Sequence, residues 1–148
     1  MELNKEYIFK DLEFDNKEDF FGFLSNKLYK DGFVKESYGE GLIQREIEYP
    51  TGLPLPIGVA IPHTDASFVK KNTFTVSIFK KPIKFNEMAG DEGSTVDVKV
   101  AINIVMSDGQ KHLEVLQNLI EKIQDNNFVE TIANSDSDEE IINLFKEI

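Results

Sequence analysis

His63 stands at the end of the stiffest segment of this chain. The run Pro50-Thr51-Gly52-Leu53-Pro54-Leu55-Pro56-Ile57-Gly58-Val59-Ala60-Ile61-Pro62-His63-Thr64 holds four of the five prolines and one of the two histidines. Proline fixes its own φ and holds the residue before it in extended backbone. Ile61-Pro62 therefore leaves little freedom just ahead of the imidazole. That imidazole is mostly neutral at pH 7 and carries a nucleophilic nitrogen. A stiff loop ending in such a group suits a nucleophile held in place for a reaction. The same residues also describe a rigid turn with an incidental histidine, and the residues alone leave both readings open.

Three other positions could join this chemistry. Arg45 lies eighteen positions before His63 and offers a guanidinium, whose forked donors and fixed charge suit a transferring phosphoryl group. It also fits a surface ion pair with Glu46 or Glu48. His112 falls in the first turn of a helix expected to be capped near Asp108. The dipole and free N–H groups there attract anions and disfavour an imidazolium. Thr64 adds a hydroxyl and a backbone N–H next to the nucleophile. Asp65 could orient a ring nitrogen, but its charge opposes phosphate, and it is left outside the candidate set. Other chemistries fit worse. A zinc site needs a third ligand beside the two histidines; Asp65 could serve, but no H-x-x-x-H or similar spacing exists. No G-x-S-x-G elbow and no Walker or dinucleotide glycine loop is present.

The elements that must position these residues can be read from periodicity. Tyr7-Ile8-Phe9 reads as a first strand. Asp15 or Asn16 caps a helix whose stripe is Phe20, Phe21, Leu24 and Leu28, ended by Asp31-Gly32. Val34, Tyr38 and Leu42 predict a second helix running to about Tyr49, weakened by Gly39 and Gly41. Phe74 to Phe79 reads as a strand closed by Lys80-Lys81-Pro82. Val96 to Met106 alternates with period 2, and its second face turns apolar toward the end, as in a strand buried on both sides. Leu113, Leu116, Leu119, Ile120 and Ile123 form the stripe of the helix that carries His112. Asn127 to Ala133 predicts a short helix, and Ser137 to Glu140 a capping box ahead of a last one. Alternating helices and strands predict an α/β (α+β sandwich) fold, a mixed parallel and antiparallel sheet with helices on both faces. Without repeats, linkers or composition shifts, residues 1–148 are expected to form one domain.

Composition narrows the partners. The chain has 148 residues, 41% of them hydrophobic and 29% charged, with a net charge of −11. That acidity argues against nucleic acid and anionic membrane surfaces, both of which require clustered Lys and Arg. No cysteine is present, which rules out a disulfide scaffold or a thiolate metal site. No signal peptide or spanning segment is evident, so a soluble cytoplasmic protein is expected.

Gly58-Val59-Ala60-Ile61-Pro62-His63-Thr64 resembles the phosphorylation site of enzyme IIA proteins. These belong to the fructose/mannitol superfamily of the phosphoenolpyruvate-dependent sugar phosphotransferase system. Gln44-Arg45-Glu46 followed by Pro50-Thr51-Gly52-Leu53-Pro54 resembles the arginine-containing stretch upstream of that site. The form with Pro-Thr-Gly-Leu-Pro and Thr after the histidine is most similar to the galactitol-type branch. His112-Leu113-Glu114-Val115-Leu116 matches the family's second active-site histidine at a helix start. The resemblance implies that His63 takes a phosphoryl group from the histidine carrier HPr and passes it to a cysteine of a IIB protein. His112, Arg45 and Thr64 would support it, and a membrane IIC component would move the sugar or polyol. It implies no cofactor and no metal. An alternative within the resemblance is a regulatory module, such as a nitrogen-type regulator, whose phosphorylation state controls partner binding.

Overall fold

The structure is a computed structural model that describes residues 1–148. Five strands form one sheet: β1 (Ile8–Leu12), β2 (Gly52–Leu53), β3 (Val59–Ala60), β4 (Thr73–Asn86) and β5 (Thr95–Val105). Five α-helices accompany them: α1 (Lys17–Lys30), α2 (Tyr38–Glu48), α3 (Gly109–Ile123), α4 (Asn126–Asn134) and α5 (Asp138–Phe145). The sheet order is β1-β4-β5-β3-β2. β1 runs parallel to β4 and β3 parallel to β5, whereas β4–β5 and β2–β3 are antiparallel. The sheet is therefore mixed, as expected.

Helices cover both faces. On one, Phe20 of α1 meets Phe79 edge-on at 4.9 Å, and Phe21 meets Phe85 at 6.0 Å. On the other, Phe74 meets Phe145 of α5 at 5.1 Å, and Phe145 packs on Phe128 of α4. Phenylalanine thus supplies much of the contact between layers, which is apolar burial with edge-to-face geometry. β5 is buried on both faces toward its end, where Ala101, Asn103 and Val105 are as sealed as Val100, Ile102 and Ile104. Asn16 caps α1 through Asp19 N–H, and Ser137 caps α5 through Glu140 N–H.

Three boundaries differ from the periodicity reading. Tyr7 belongs to a 3-10 turn (Lys5–Tyr7), and the first strand begins at Ile8. Val34 lies outside α2 and bridges Val69; the apparent i, i+4 step from Val34 to Tyr38 joins a bridge to a helix start. α2 tolerates its glycines because they sit at close contacts. A Cβ on Gly39 would lie 2.9 Å from Ser25 Oγ, and one on Gly41 would lie 3.1 Å from the Phe68 ring. Pro82 does not end β4. It sits where the β4–β5 register breaks between Ile78 and Ile83, a bulge at which no ladder N–H is required.

Candidate active site

Topology brings the two histidines together. β3 and β5 are parallel, with Ala60 opposite Ala101, so their C-terminal ends point the same way. His63 follows β3 by three residues, and α3 begins just beyond the end of β5. The His63 and His112 ring centroids are 4.8 Å apart, with 49° between the planes. The short strand β3 is fixed by β5, and Gly58 O accepts from Lys99 N and Val100 N. Beyond it, the Pro62-restricted backbone carries His63 into the cleft. Arg45 arrives from the last turn of α2. Arg45, His63, Thr64, Asp65 and His112 line one cleft of about 310 Å³, closed on the α3 side by Leu113 and Leu116.

His63 is buried, and its Nδ1 lies 2.9 Å from Ile61 O. A carbonyl oxygen only accepts, so Nδ1 carries the proton and Nε2 keeps its lone pair. Burial holds the imidazolium pKa below its usual value, and the Arg45 guanidinium adds to this. His63 is therefore a neutral imidazole with a defined tautomer and a free Nε2 lone pair.

His112 is pushed down to about 4, first by burial and then by His63 and Arg45. It is neutral, as the helix-start reading expected, but the cause is burial and neighbouring positive charge. The α3 N-terminus is not open to an anion: Asp108 Oδ1 already accepts from Gln110 N and Lys111 N, and His112 N donates to Asp108 O. The ring is what faces the site. Its Nε2 is buried without a protein partner, and so is Arg45 Nε. Two unpartnered nitrogens beside a nucleophilic histidine, one a guanidinium donor, are what a bound phosphoryl group would satisfy.

Arg45 makes neither of the ion pairs considered for it. Its Nη1 donates to Asp65 Oδ1 at 3.0 Å, and its guanidinium lies 4.7 Å from the Tyr49 ring centre. Glu48 instead accepts from Gln44, and Glu46 is buried against Thr51. Asp65, set aside from sequence, thus anchors the chain's only arginine. An acid two residues past the histidine and a lone arginine upstream were the available signal. Thr64 lines the cleft, but its hydroxyl donates to Asp65 O at 3.0 Å. Its backbone N–H, which no protein group accepts, is the better contribution it has to offer. No cluster of three or more metal-ligating side chains occurs.

A family model described as phosphoenolpyruvate-dependent sugar phosphotransferase system, EIIA 2, matches residues 1–148. The chain belongs to this EIIA family. EIIA proteins are phosphoryl-carrying phosphotransferase components of the sugar phosphotransferase system. Multiphosphoryl transfer protein 1 of Escherichia coli K12 is 27% identical over 146 residues, which cover 97% of this chain and 17% of the relative. The chain thus spans about a sixth of the length of that curated relative. The galactitol-specific EIIA component of E. coli K12 is 27% identical over 122 residues, covering 82% of this chain and 80% of the relative. Among solved structures, nitrogen regulatory protein IIA-Ntr of Neisseria meningitidis has a TM-score of 0.80 at 26% identity, covering 97% of this chain and 96% of that one. The E. coli mannitol IIA in complex with phosphorylated IIB has a TM-score of 0.78 at 23% identity, covering 99% and 98%, and shows the same fold. The mixed sheet with its five helices matches the fold of these IIA structures. No helix is long and apolar enough to cross a membrane.

Proposed function

We propose that His63 is the phosphoryl acceptor of this EIIA chain and that Nε2 is the bonded atom. The observation that carries this is the Nδ1 contact to Ile61 O at 2.9 Å, which fixes the tautomer and leaves the Nε2 lone pair free. Phospho-HPr is the donor: its P–N bond breaks as a P–Nε2 bond forms, and the HPr imidazole leaves with the electron pair. In the second transfer a IIB cysteine thiolate forms a P–S bond as the P–Nε2 bond breaks. His63 keeps its Nδ1 proton throughout. Phosphoryl transfer asks chiefly for in-line positioning and charge stabilisation. Arg45, aimed by Asp65 and Tyr49, supplies the fixed positive charge, and neutral His112 supplies one N–H. The Thr64 backbone N–H completes the set.

The solved complex of mannitol IIA with phosphorylated IIB supports the IIB step by analogy, and IIC would carry the substrate across the membrane. Likeness to the galactitol-specific component makes galactitol or another polyol the first substrate to test. A regulatory role is favoured by the likeness to nitrogen regulatory IIA-Ntr, and one assay separates the two. The chain is incubated with phosphoenolpyruvate, enzyme I and HPr, and IIB proteins are then added. His63→Ala should abolish the acid-labile mass gain while folding normally; a variant that still gained the phosphoryl mass would remove His63 from the mechanism. Onward transfer to a IIB supports transport. Phosphorylation with no competent IIB acceptor leaves the regulatory role open.

A further inference from the structure

Glu46 is the only carboxylate among the buried residues. It continues the apolar stripe of α2, spaced by four from Leu42 and by eight from Tyr38. A carboxylate on that stripe is costly unless its oxygens are satisfied. No cation forms a salt bridge with it. Both oxygens are taken by one residue of the rigid loop: Thr51 N donates to Oε2, and Thr51 Oγ1 donates to Oε1 at 2.8 Å. Thr51 Oγ1 in turn accepts from Ile61 N at 3.2 Å, and Ile61 O accepts from His63 Nδ1 at 2.9 Å. Ile61 lies just past the end of β3, so the sheet ladder no longer fixes it. Its N–H is held by Thr51, and its carbonyl holds the His63 ring.

We propose that Glu46 and Thr51 are positioning residues for phosphoryl transfer, fixing the Ile61 main chain and through it the tautomer and aim of His63. The inference rests on His63 being the phosphoryl acceptor. Neither residue touches the reacting atoms. Thr51 acts through two hydrogen bonds and the Ile61 backbone, and Glu46 acts through Thr51, across the base of the loop. Glu46 also has a charge state that changes near neutral pH. Burial pushes its carboxyl up to about 7, against the opposing pull of the Thr51 bonds and of Lys17. Lys17 and Glu18 of α1 are the charged groups that share its small cavity, together with Asn86 of β4. The ionised form accepts from both Thr51 donors. Protonation places a donor on one oxygen, so one of the two bonds must break or reverse.

The test uses the wild-type chain first, phosphorylated through enzyme I and HPr, with the site located by mass spectrometry. Absence of phosphate on His63 at this stage overturns the acceptor assignment and is distinguishable from anything that follows. Thr51→Val, Thr51→Ser and Glu46→Gln are then compared by transfer rate from phospho-HPr, by ¹⁵N spectra of the His63 ring, and by thermal unfolding. Thr51→Val should slow transfer about tenfold, inside the range a small misplacement produces, and should mix Nε2–H tautomer into the folded protein. Thr51→Ser should restore both. In wild type the rate should rise with pH through about 7, and Glu46→Gln should flatten that rise. A role confined to stability would lower the melting temperature and leave tautomer and pH profile unchanged. A folded Thr51→Val with the wild-type rate and a pure Nδ1–H tautomer overturns the proposal. If that variant does not fold, a Glu46→Gln protein with the wild-type rate and pH profile overturns it.

Discussion

Between pH 4.5 and 7 the wild-type chain should lose stability that the Glu46→Gln variant keeps. Burial raises the Glu46 carboxyl from its ordinary 4.5 to about 7. The folded state therefore holds a proton that the unfolded chain releases earlier. The stabilisation is whole below about 4.5 and is lost as pH rises through about 7. At about 1.4 kcal/mol per pH unit, the gap amounts to about 3 kcal/mol. For a chain of this size that is roughly 6–12 °C in melting temperature. Urea unfolding of both proteins at pH 5, 6, 7 and 8 measures it. The difference curve isolates Glu46, because the remaining carboxylates and both histidines titrate in wild type and variant alike. Glutamine keeps one acceptor for Thr51 N–H and one donor toward Thr51 Oγ1, so it resembles the protonated acid. The variant should gain about 2–3 kcal/mol on the wild type between pH 5 and pH 8. Parallel curves, offset by a constant, would refute the reasoning and place an ordinary carboxyl at this position.

Other outcomes follow from the cleft. Arg45→Lys should slow transfer by about tenfold, equivalent to about 1.4 kcal/mol of transition-state stabilisation, because a lysine keeps the charge but loses the planar fork. Arg45→Ala should slow it further; unchanged transfer from phospho-HPr in that variant removes Arg45 from the site. Asp65→Asn should slow transfer less than Arg45→Ala while costing at most about 1 kcal/mol of stability, since its ion pair is partly exposed. Equal rates for Asp65→Asn and wild type in the same assay would show that Arg45 holds its aim without Asp65. His112→Ala should still accept phosphate but pass it on poorly, and single-turnover transfer from pre-phosphorylated protein to a IIB checks this. Equal rates for variant and wild type would return His112 to a structural role.

Periodicity made most of the fold legible. The Phe20, Phe21, Leu24, Leu28 stripe, the alternation of Val96 to Met106 and the Ser137 capping box are local patterns, and each appears as the expected element. The errors occurred where a local rule met a tertiary exception. Pro82 ends a strand by its missing N–H only if the ladder needs that N–H, and a register break removes the need. Val34 fits a helical spacing that a bridge to Val69 overrides. Gly39 and Gly41 count against a helix until Ser25 and Phe68 are seen pressed against them.

The candidate site divides along the same line. Chemistry is a property of side-chain type, so the sequence by itself determined that an imidazole at the end of a Pro-rich loop, a second imidazole at a helix start and an upstream guanidinium were the groups available. Which groups meet is a property of strand order, and only the tertiary structure decided it. Parallel β3 and β5 bring His63 and His112 to one end of the sheet. α2 packs so that Arg45 finds Asp65 rather than its helical neighbours. The role of Glu46 was hidden for the same reason. Beside Arg45 in the chain it reads as an ordinary helical acid, but burial strips its water, raises its pKa and leaves Thr51 as its hydrogen-bond donor. Burial and partner choice arise from contacts distant in sequence, and no local pattern encodes them.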